Sequence, residues 1–479
     1  MTRFAQLLLL LALLGGVWWV GGRTPQAQIF VLALSAVSLL GAAISATIRG
    51  RGISPLTRAA TVIVVIMLAF LVMQAIQVAN PAFTVHLDDA GWQLVPLPFQ
   101  TFLPAGFNAP FDGLANRNLA FTNPLRHLLV FGAAFCATVA AFIVSGNTDV
   151  RRSFVWAFVV QAIFVSTVSI AHRLSGAREI LWFYTDPEFW MGSPIFPYKN
   201  TAAAYQVLLL GNCMAAFRSA RDRSEIRTGL LGLSGLAAGL TLLALLLLNC
   251  RAGVIMGFIL AALFIYQEWI ARRHHRPSSS RRWLVAVAIA CMLAGAGWVL
   301  VRGGFARTLQ RFDSEFRNPI SLLRGGMPRV QKQKIAVEMA KDRPWLGWGG
   351  GAYLPLFLTY HPKNPDYLRD LLREQPTLNR IQETSADGDW WEFPVEYGIV
   401  GVALLATSIL GSGVLWLRMK GHRCIPSFYL FASAMLIVLH GFIDRILRDE
   451  ILLATLGVTF ALALRTAQSH AASSDRKPR

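Results

Sequence analysis

The sequence predicts an all-α polytopic membrane protein with about twelve transmembrane helices and one large outer loop between the ninth and tenth. Composition is the first reason, because 54% of the 479 residues are hydrophobic, only 15% are charged, and the mean hydropathy is +0.48. A soluble globular domain rarely has this balance. The second reason is that apolar runs long enough to cross about 30 Å of hydrocarbon recur along the chain. The third is a long charged stretch that interrupts these runs, since loops of such length are usually functional.

The apolar runs define the predicted spans. They lie near residues 5–22, 27–48, 59–79, 126–146, 153–172, 200–217, 228–249, 252–271, 283–301, 394–417, 425–443 and 450–466. Residues 1–301 therefore hold helices 1–9, with outer loops near 80–125 and 172–200. Residues 302–392 are predicted to form the large outer loop and residues 393–466 to hold helices 10–12. Residues 467–479 are predicted to be a disordered cytoplasmic tail.

The formal net charge of +19 raises the question of nucleic acid binding, but its distribution favours a topological role. With the N-terminus inside, the short inner connections and the termini carry 22 Lys and Arg residues, against 9 in the short outer segments. This bias follows the positive-inside rule, from which long loops are excluded. We therefore expect the lipid bilayer as a partner and no nucleic acid, with both termini cytoplasmic and the large loop outside.

The first apolar run has two interpretations. Arg3, an apolar run and small residues together are compatible with a signal peptide. The length of the run, Trp18 and Trp19 at the position of an interfacial belt, and the lack of an Ala-x-Ala site before Thr24 favour an uncleaved span. Cleavage would leave the topology of the remaining chain unchanged.

The five cysteines predict neither a disulfide framework nor a CxxC metal site. Their number is odd, their spacing is irregular, and all lie in or beside apolar spans. They are Cys136, Cys213, Cys250, Cys291 and Cys424. We predict no metal and no cofactor.

Within the large loop, residues 328–341 predict an amphipathic helix. Pro344 is expected to end it, because the residue before a proline disfavours the helical region. The glycines at 347 and 349–351 predict a tightly turning backbone that a ligand could approach closely. This run is not a Walker phosphate-binding loop, since it lacks the GK[ST] triplet and faces away from cytoplasmic ATP.

Arg251 lies between two apolar spans with almost no loop to shelter it, in the sequence LLLLNCRAGVIMGFI. A cation near the hydrocarbon boundary is costly and needs a partner or a function. One interpretation is an arginine whose head reaches the interface while its stem stays in the membrane. The other is a cavity-facing arginine that binds an anion, since its planar guanidinium donates bidentate hydrogen bonds to phosphate.

Further cations occur at three places on the same side. Arg329 begins the amphipathic helix of the large loop and Arg324 lies close by, while Lys199 and Asn200 stand where the aromatic outer loop enters the next span. The simplest interpretations are that Arg324 and Arg329 are solvated loop cations, that Lys199 lies at the membrane interface, and that Asn200 caps the helix. The functional one is that these residues bind substrate beside Arg251.

The end of the large loop is acidic. Asp389, Glu392 and Glu396 have the spacing i, i+3, i+7 and would share one helix face, with Asp387 just before them. Asp389 and Glu392 fit a capping box, and Pro394 could instead begin the helix. The functional interpretation is that one carboxylate, beside the arginines, is a general base.

The last outer turn, HGFIDRILRDE, contains His440, Asp444, Arg445 and Arg448. These four either pair with one another or shape the same outer cavity.

Four elements in this order resemble those of the O-antigen ligase and polymerase superfamily of bacterial inner-membrane glycosyltransferases. Its Phe-x-Asn-x-Asn element is similar to FPYKNTAAAYQ. Its Ser-Arg-Gly-Gly element is similar to LLNCRAGVIMG, with Arg251 on the arginine. Its element of an arginine, a helix and Pro-x-x-Gly-x-Gly is similar to RVQKQKIAVEMAKDRPWLGWGGGAY, with Arg329 on the arginine. Its His-Asn-Asp-aromatic element, ending in Glu-x-Gly-x-x-Gly, is similar to ADGDWWEFPVEYGIVG. The resemblance is best over residues 190–405.

The resemblance implies a donor that is a glycan on undecaprenyl pyrophosphate, and an acceptor hydroxyl on a glycan or on lipid A core. It implies that Arg251 and Arg329 bind the pyrophosphate and assist its departure, as fixed cations can without a metal. The chain departs from the family where the histidine falls on Asp387 and the asparagine on Gly388. Asp387, or the neighbouring Asp389, is then the expected base.

The predicted site thus comprises catalytic and substrate-binding groups. The catalytic ones are Arg251, Arg329, Asp387 and Asp389, and the substrate-binding ones are Arg251, Arg329, Lys199, Asn200, Arg324 and Glu396.

The predicted function is that of an O-antigen ligase-like glycosyltransferase, inverting and metal-independent, at the periplasmic face of the bacterial inner membrane. It would serve lipopolysaccharide or surface-polysaccharide biosynthesis. One alternative is a polymerase that uses the same donor with a lipid-linked glycan as acceptor, and a protein O-glycosylating relative is another. A transporter for the same lipid belongs to a different class. Related halves and polar groups deep in several spans would favour the transporter, and the sequence shows neither clearly.

Overall fold

The computed structural model describes residues 1–22, 24–48, 55–88, 91–108, 123–177, 179–182, 193–221, 227–248, 250–273, 327–360 and 386–474. Within these residues, eight helices are long and apolar enough to cross a membrane, and two shorter apolar helices accompany them. The chain is therefore a helical membrane protein, as its composition predicts.

The helices are labelled in chain order. They are α1 (Thr2–Trp18), α2 (Pro25–Ile48), α3 (Pro55–Ala79), α4 (Pro124–Val144), α5 (Thr148–Ser175), α6 (Lys199–Arg221), α7 (Arg227–Leu247), α8 (Arg251–Arg273), α9 (Met327–Asp342), α10 (Tyr353–Tyr360), α11 (Asp389–Arg418), α12 (Ile425–His440) and α13 (Glu450–Ser474).

Every predicted span that falls within the described residues coincides with a helix. The ninth predicted span, 283–301, lies outside those residues. The last span differs from the prediction, because α13 continues through Ser474 where a disordered tail was expected after Thr466. Ala467 is fully buried in a cluster with Trp416 and Leu464, and this packing favours continuation of the helix.

Helices α6 and α13 lie at the centre of the bundle. Nearly all of α6 is buried, including polar residues such as Gln206 and Asn212. At Gly211 of α6, an added Cβ would lie 2.2 Å from the hydroxyl of Ser433 in α12. Small residues therefore let the central helices approach closely, which is how helices associate where lipid offers no hydrophobic driving force.

One end of the bundle collects the first turns of α2, α4, α6, α8, α11 and α13, and we call it the upper end. There the Arg126 guanidinium of α4 donates from Nε to Oε1 of Gln28 in α2 at 3.0 Å. At the opposite end, Arg221 of α6 donates to Glu268 of α8 at 3.0 Å. The helices thus alternate in direction, and the upper end holds the candidate site.

A small sheet, which the sequence did not predict, occupies part of the outer loop near 80–125. Strand β1 (Pro81–Asp88) pairs antiparallel with β2 (Gly91–Pro96) and parallel with β3 (Gly106–Asn108). Phe107 of this sheet is buried against Tyr353 and Phe357 of α10. The sheet therefore supports the segment that follows α9.

Helix α11 is broken at Gly398, whose φ of 61° and ψ of −172° are not helical. The glycine loop, Pro344–Gly351, fills the gap that this break leaves. The amide of Trp348 donates to the carbonyl of Val395 at 2.8 Å, and the amide of Ile399 donates to the first carbonyl of the loop at 2.7 Å. Backbone groups freed by the break are thus satisfied by the loop.

The glycines on both sides of this contact are required by close backbone approach. An added Cβ on Gly347 would lie 2.4 Å from the carbonyl carbon of Glu396, and one on Gly398 would lie 2.3 Å from the carbonyl oxygen of Trp345. The Gln77 amide of α3 also donates to the Glu396 carbonyl, at 3.0 Å. The loop that the sequence predicts to admit a ligand therefore admits another segment of the chain.

Candidate active site

The first turns of α11 place three acids on one face, as their spacing predicts. All three are fully buried and converge on a single guanidinium, that of Arg448. Its Nη1 lies 2.6 Å from Glu396, its Nη2 lies 2.8 Å from Glu392, and its Nε lies 3.2 Å from Asp389. Burial lowers the pKa of Arg448, but Glu392, Glu396 and Asp389 outweigh it and raise that pKa above its ordinary value. We call this the carboxylate–arginine cluster.

The Asp389 carboxylate accepts hydrogen bonds from the turn between α12 and α13. Besides the contact with Arg448, its carboxylate accepts from the backbone amides of Ile446 at 2.7 Å and Leu447 at 2.6 Å. The predicted capping box is wrong, because the helix begins after Gly388 with no side-chain cap. Glu392 instead accepts from the amide of Ala386, at 2.6 Å. Full burial and saturated hydrogen bonding favour a structural role for Asp389.

Asp387 differs from the three buried acids. Its side chain is 32% exposed, and its Oδ2 lies 3.2 Å from Nζ of Lys332 in α9. Its backbone has a φ of 57°, in the left-handed region, which aspartate tolerates better than most residues. An unusual backbone conformation at a candidate site is a reason to ask about function. Of the acids in this segment, Asp387 is the one that solvent and a substrate can reach.

Helix α9 brings position 329 toward Asp387. Position 329 lies three residues, about one turn, before Lys332 in this helix, and Lys332 contacts Asp387. On its other faces the helix is fixed, because Ile335 and Met339 are fully buried in an apolar cluster. The side chain of Arg329 and the whole of Arg324 lie outside what the structure describes.

The start of α6 faces the turn after α12. The Tyr198 hydroxyl donates to Oδ1 of Asp444 at 2.6 Å, and the Asn200 amide donates to both Asp444 and the Tyr198 hydroxyl. Burial, Asp444 and the nearby Asp387 raise the pKa of Tyr198. The hydroxyl therefore lies within electrostatic reach of two carboxylates, and the predicted Asn200 has a defined partner.

Arg251 is the first residue of α8 and is exposed at the upper end. Its neighbour Cys250 is buried, and burial together with the Asp444 carboxylate raises the pKa of that thiol to about 12, while Lys199 opposes this rise. Cys250 is thus within electrostatic reach of both residues. The starts of α6 and α8, which carry Lys199 and Arg251, therefore adjoin the turn that carries Asp444.

The upper end thus holds two sets of polar contacts. Tyr198 and Asn200 contact Asp444, beside the starts of α6 and α8, and Lys332 of α9 contacts Asp387. Basic groups and an accessible carboxylate can together bind a phosphate and receive a proton.

Residues 236–406 match the family model described as O-antigen ligase. This match supports the O-antigen ligase superfamily for this part of the chain. No curated protein matches the chain.

The O-antigen ligase match extends from α7 into α11, so most candidate residues lie inside it. Those inside are Arg251, Arg324, Arg329, Asp387, Asp389 and Glu396, whereas Lys199 and Asn200 precede it. Members of this superfamily are glycosyltransferase-like enzymes that act on lipid-linked glycans in a membrane. Multiple apolar helices and the family together indicate a bacterial membrane protein.

The sequence offered weaker signals for the remaining residues of this region. Lys332 was one of several polar residues on a predicted helix, and only its contact with Asp387 distinguishes it. Arg445 and Arg448 contact the acids of α11 rather than only their own turn: Arg445 lies 3.8 Å and Arg448 2.8 Å from Glu392. This arrangement favours the prediction that the turn shapes the outer cavity.

Proposed function

We propose that this protein is a ligase-type glycosyltransferase that moves a glycan from undecaprenyl pyrophosphate to an acceptor hydroxyl. The proposed acceptor is lipid A core or another glycan, in lipopolysaccharide or surface-polysaccharide biosynthesis. The proposal includes twelve spans, cytoplasmic termini and a periplasmic site at the upper end, in the bacterial inner membrane. The excess of Lys and Arg in the short inner connections supports this orientation.

The observation that carries the proposal is the juxtaposition around Asp387. Its ion pair with Lys332 ties α9, and with it position 329, to the start of α11. The Asp444 contacts tie the start of α6 to the turn before α13. Residues from distant parts of the chain, which a bilayer anchor would not need to assemble, therefore meet at the upper end, where Asp387 is accessible to solvent.

In this mechanism the cations act on the donor. Arg251 and Arg329 bind the pyrophosphate, with Lys199, Asn200 and Arg324 beside them. As the bond between the sugar carbon and the pyrophosphate oxygen breaks, negative charge grows on the leaving group, and fixed guanidinium groups stabilise it. Positive charge from these side chains suffices for the step, so the mechanism requires no metal.

On the acceptor side, the hydroxyl oxygen attacks the sugar carbon from the face opposite the leaving group, which inverts the configuration. Its proton passes to Asp387. Accessibility supports Asp387 over Asp389, because a general base must come within hydrogen-bond reach of the proton it removes. The side chain of Asp387 is 32% exposed and that of Asp389 is 0% exposed. Glu396, equally buried beside Arg448, fits better as a support of the site than as a substrate ligand.

The test is transfer in reconstituted membranes. The protein is placed in proteoliposomes with a labelled undecaprenyl-pyrophosphate glycan and either lipid A core or a second lipid-linked glycan. We expect labelled lipid A core with the wild-type protein and none with Arg251→Ala. Arg418→Ala, an exposed arginine at the lower end of α11, is the matched control and should retain full activity.

Other products would identify the alternatives. A lengthened lipid-linked glycan indicates a polymerase, and label on protein indicates protein glycosylation. Movement of the glycolipid across the bilayer without transfer would overturn the proposal in favour of a transporter. Full activity of Arg251→Ala would remove that arginine from the mechanism and favour an interfacial arginine.

A further inference from the structure

Lys332 is a cation that neither the predicted site nor the family match singles out. It is buried, with a side chain only 10% exposed, and its ammonium lies 3.2 Å from the carboxylate of Asp387. Fifty-five positions separate the two residues in sequence. The contact therefore exists only because α9 and the start of α11 pack together.

The pair contributes little to holding α9 in place. The Asp387 side chain is about one-third exposed, and ion pairs with an exposed partner stabilise weakly. The helix is already secured by other contacts: Ile335 and Met339 are fully buried, and the Trp348 indole donates to the Met339 carbonyl at 2.8 Å. Burying a lysine also has a desolvation cost. The desolvation cost and the weak ion pair together favour a role for the ammonium beyond holding α9 in place.

We propose that Lys332 is the positioning residue for the base, a role that rests on the proposed function. Its ammonium holds one oxygen of Asp387 and so fixes the orientation of the other toward the acceptor hydroxyl. In the transfer step the hydroxyl oxygen bonds to the sugar carbon, the bond from that carbon to the pyrophosphate oxygen breaks, and the proton moves to Asp387. Throughout the step, Lys332 remains in contact with Asp387 and transfers no proton.

Two features of the chain support this role. Asp387 has a left-handed backbone conformation of the kind that clusters at functional sites, and Lys332 contacts its carboxylate directly. Asp387 also stands where the family pattern has a histidine, so a carboxylate held by a lysine would serve where relatives use an imidazole. Position 329 lies one turn before Lys332 in α9, so one helix would serve both the leaving group and the base.

The experiment compares lysine variants in the transfer assay. We expect Lys332→Met to lower kcat by about 10- to 100-fold, the effect typical of groups that orient another functional group. The KM for the donor should change by less than about twofold. Lys332→Arg, which keeps the charge, should recover most of the rate. The control is Lys334→Met, an exposed lysine on the same helix, and it should match the wild type.

Thermal unfolding of Lys332→Met separates positioning from a structural clamp. A clamp predicts a lower unfolding temperature together with the lower kcat, whereas positioning predicts a lower kcat at a near-wild-type unfolding temperature. A loss of stability that accounts for the loss of activity, or wild-type kcat in Lys332→Met, overturns the proposal. Should Lys332→Met fail to fold, Lys332→Gln gives the same comparison. An inactive wild-type protein would overturn the proposed function itself, whereas an active wild type with a fully active Lys332→Met overturns only this role.

Discussion

Replacing Asp387 and Asp389 separately by asparagine should produce opposite phenotypes. The two residues are close in sequence, and either could be the base by sequence alone. In the structure the Asp387 side chain is 32% exposed with one lysine partner, whereas the Asp389 side chain is fully buried. Asp387→Asn should therefore impair turnover, and Asp389→Asn should impair folding.

The magnitudes follow from these surroundings. Loss of the Asp387–Lys332 ion pair, whose carboxylate is about one-third exposed, costs about 0–1 kcal/mol of stability, whereas loss of a general base lowers kcat by about 10²- to 10⁴-fold. Asp389 accepts from two backbone amides and from Arg448. An asparagine would turn an amide group toward those donors. Removing one partner of a buried charge network costs about 3–5 kcal/mol.

Two measurements on purified protein check this prediction. Thermal unfolding followed by tryptophan fluorescence gives the stability of each variant in detergent, and the labelled-glycan assay gives kcat. We expect Asp387→Asn to unfold near the wild-type temperature with a strongly reduced kcat. Asp389→Asn should unfold at a distinctly lower temperature, and the fraction that remains folded should keep a substantial kcat.

One pattern of results would refute this reasoning. If Asp389→Asn were as stable as the wild type yet inactive, while Asp387→Asn kept full activity, the base would be Asp389. The buried carboxylate–arginine cluster would then have to open during the reaction.

Two further predictions concern the framework that supports the site. Gly398→Ala places a Cβ 2.3 Å from the Trp345 carbonyl at a φ of 61°, so we expect about 3 kcal/mol or more of destabilisation in the same unfolding measurement. Gly411→Ala in the same helix meets nothing closer than 3.5 Å, and an equal loss there would contradict the proposed lock between α11 and the glycine loop. Arg448→Met leaves three buried carboxylates without their common cation and should lower stability by about 3–5 kcal/mol, as measured by denaturant unfolding. A stable Arg448→Met variant would show that these acids are held by other groups.

Much of the fold could be predicted from the sequence because membrane helices are encoded locally. A run of apolar residues such as that of α3 must form a helix in hydrocarbon, where backbone groups can be satisfied only within the segment. The spacing of Asp389, Glu392 and Glu396 likewise placed them on one face. The small sheet was missed because it lies within a stretch interpreted as an outer loop and because β3 is only three residues long.

The candidate site was predictable only as a set of residues. Arg251, Arg329 and Asp387 could be named from their positions in sequence elements, but nothing local distinguished Asp387 from Asp389. Their surroundings differ because the turn containing Ile446 and Leu447 packs on one carboxylate and leaves the other near solvent. The glycine loop shows a different error. The sequence predicted that another group would approach its backbone closely, but that group is the backbone of α11 and not a ligand.

The sequence by itself determined a helical membrane protein with its charged residues concentrated outside the apolar runs and with motifs that resemble those of the O-antigen ligase superfamily, because hydrophobicity and motif order are properties of the linear chain. Only the tertiary structure decided which charges meet. Arg448 contacts three acids from α11, and Lys332 contacts Asp387. Gly347 of the glycine loop and Gly398 of α11 let the two backbones approach closely. These choices depend on which helices pack side by side, and packing decides which ionisable groups lose water and which remain free to act on a substrate.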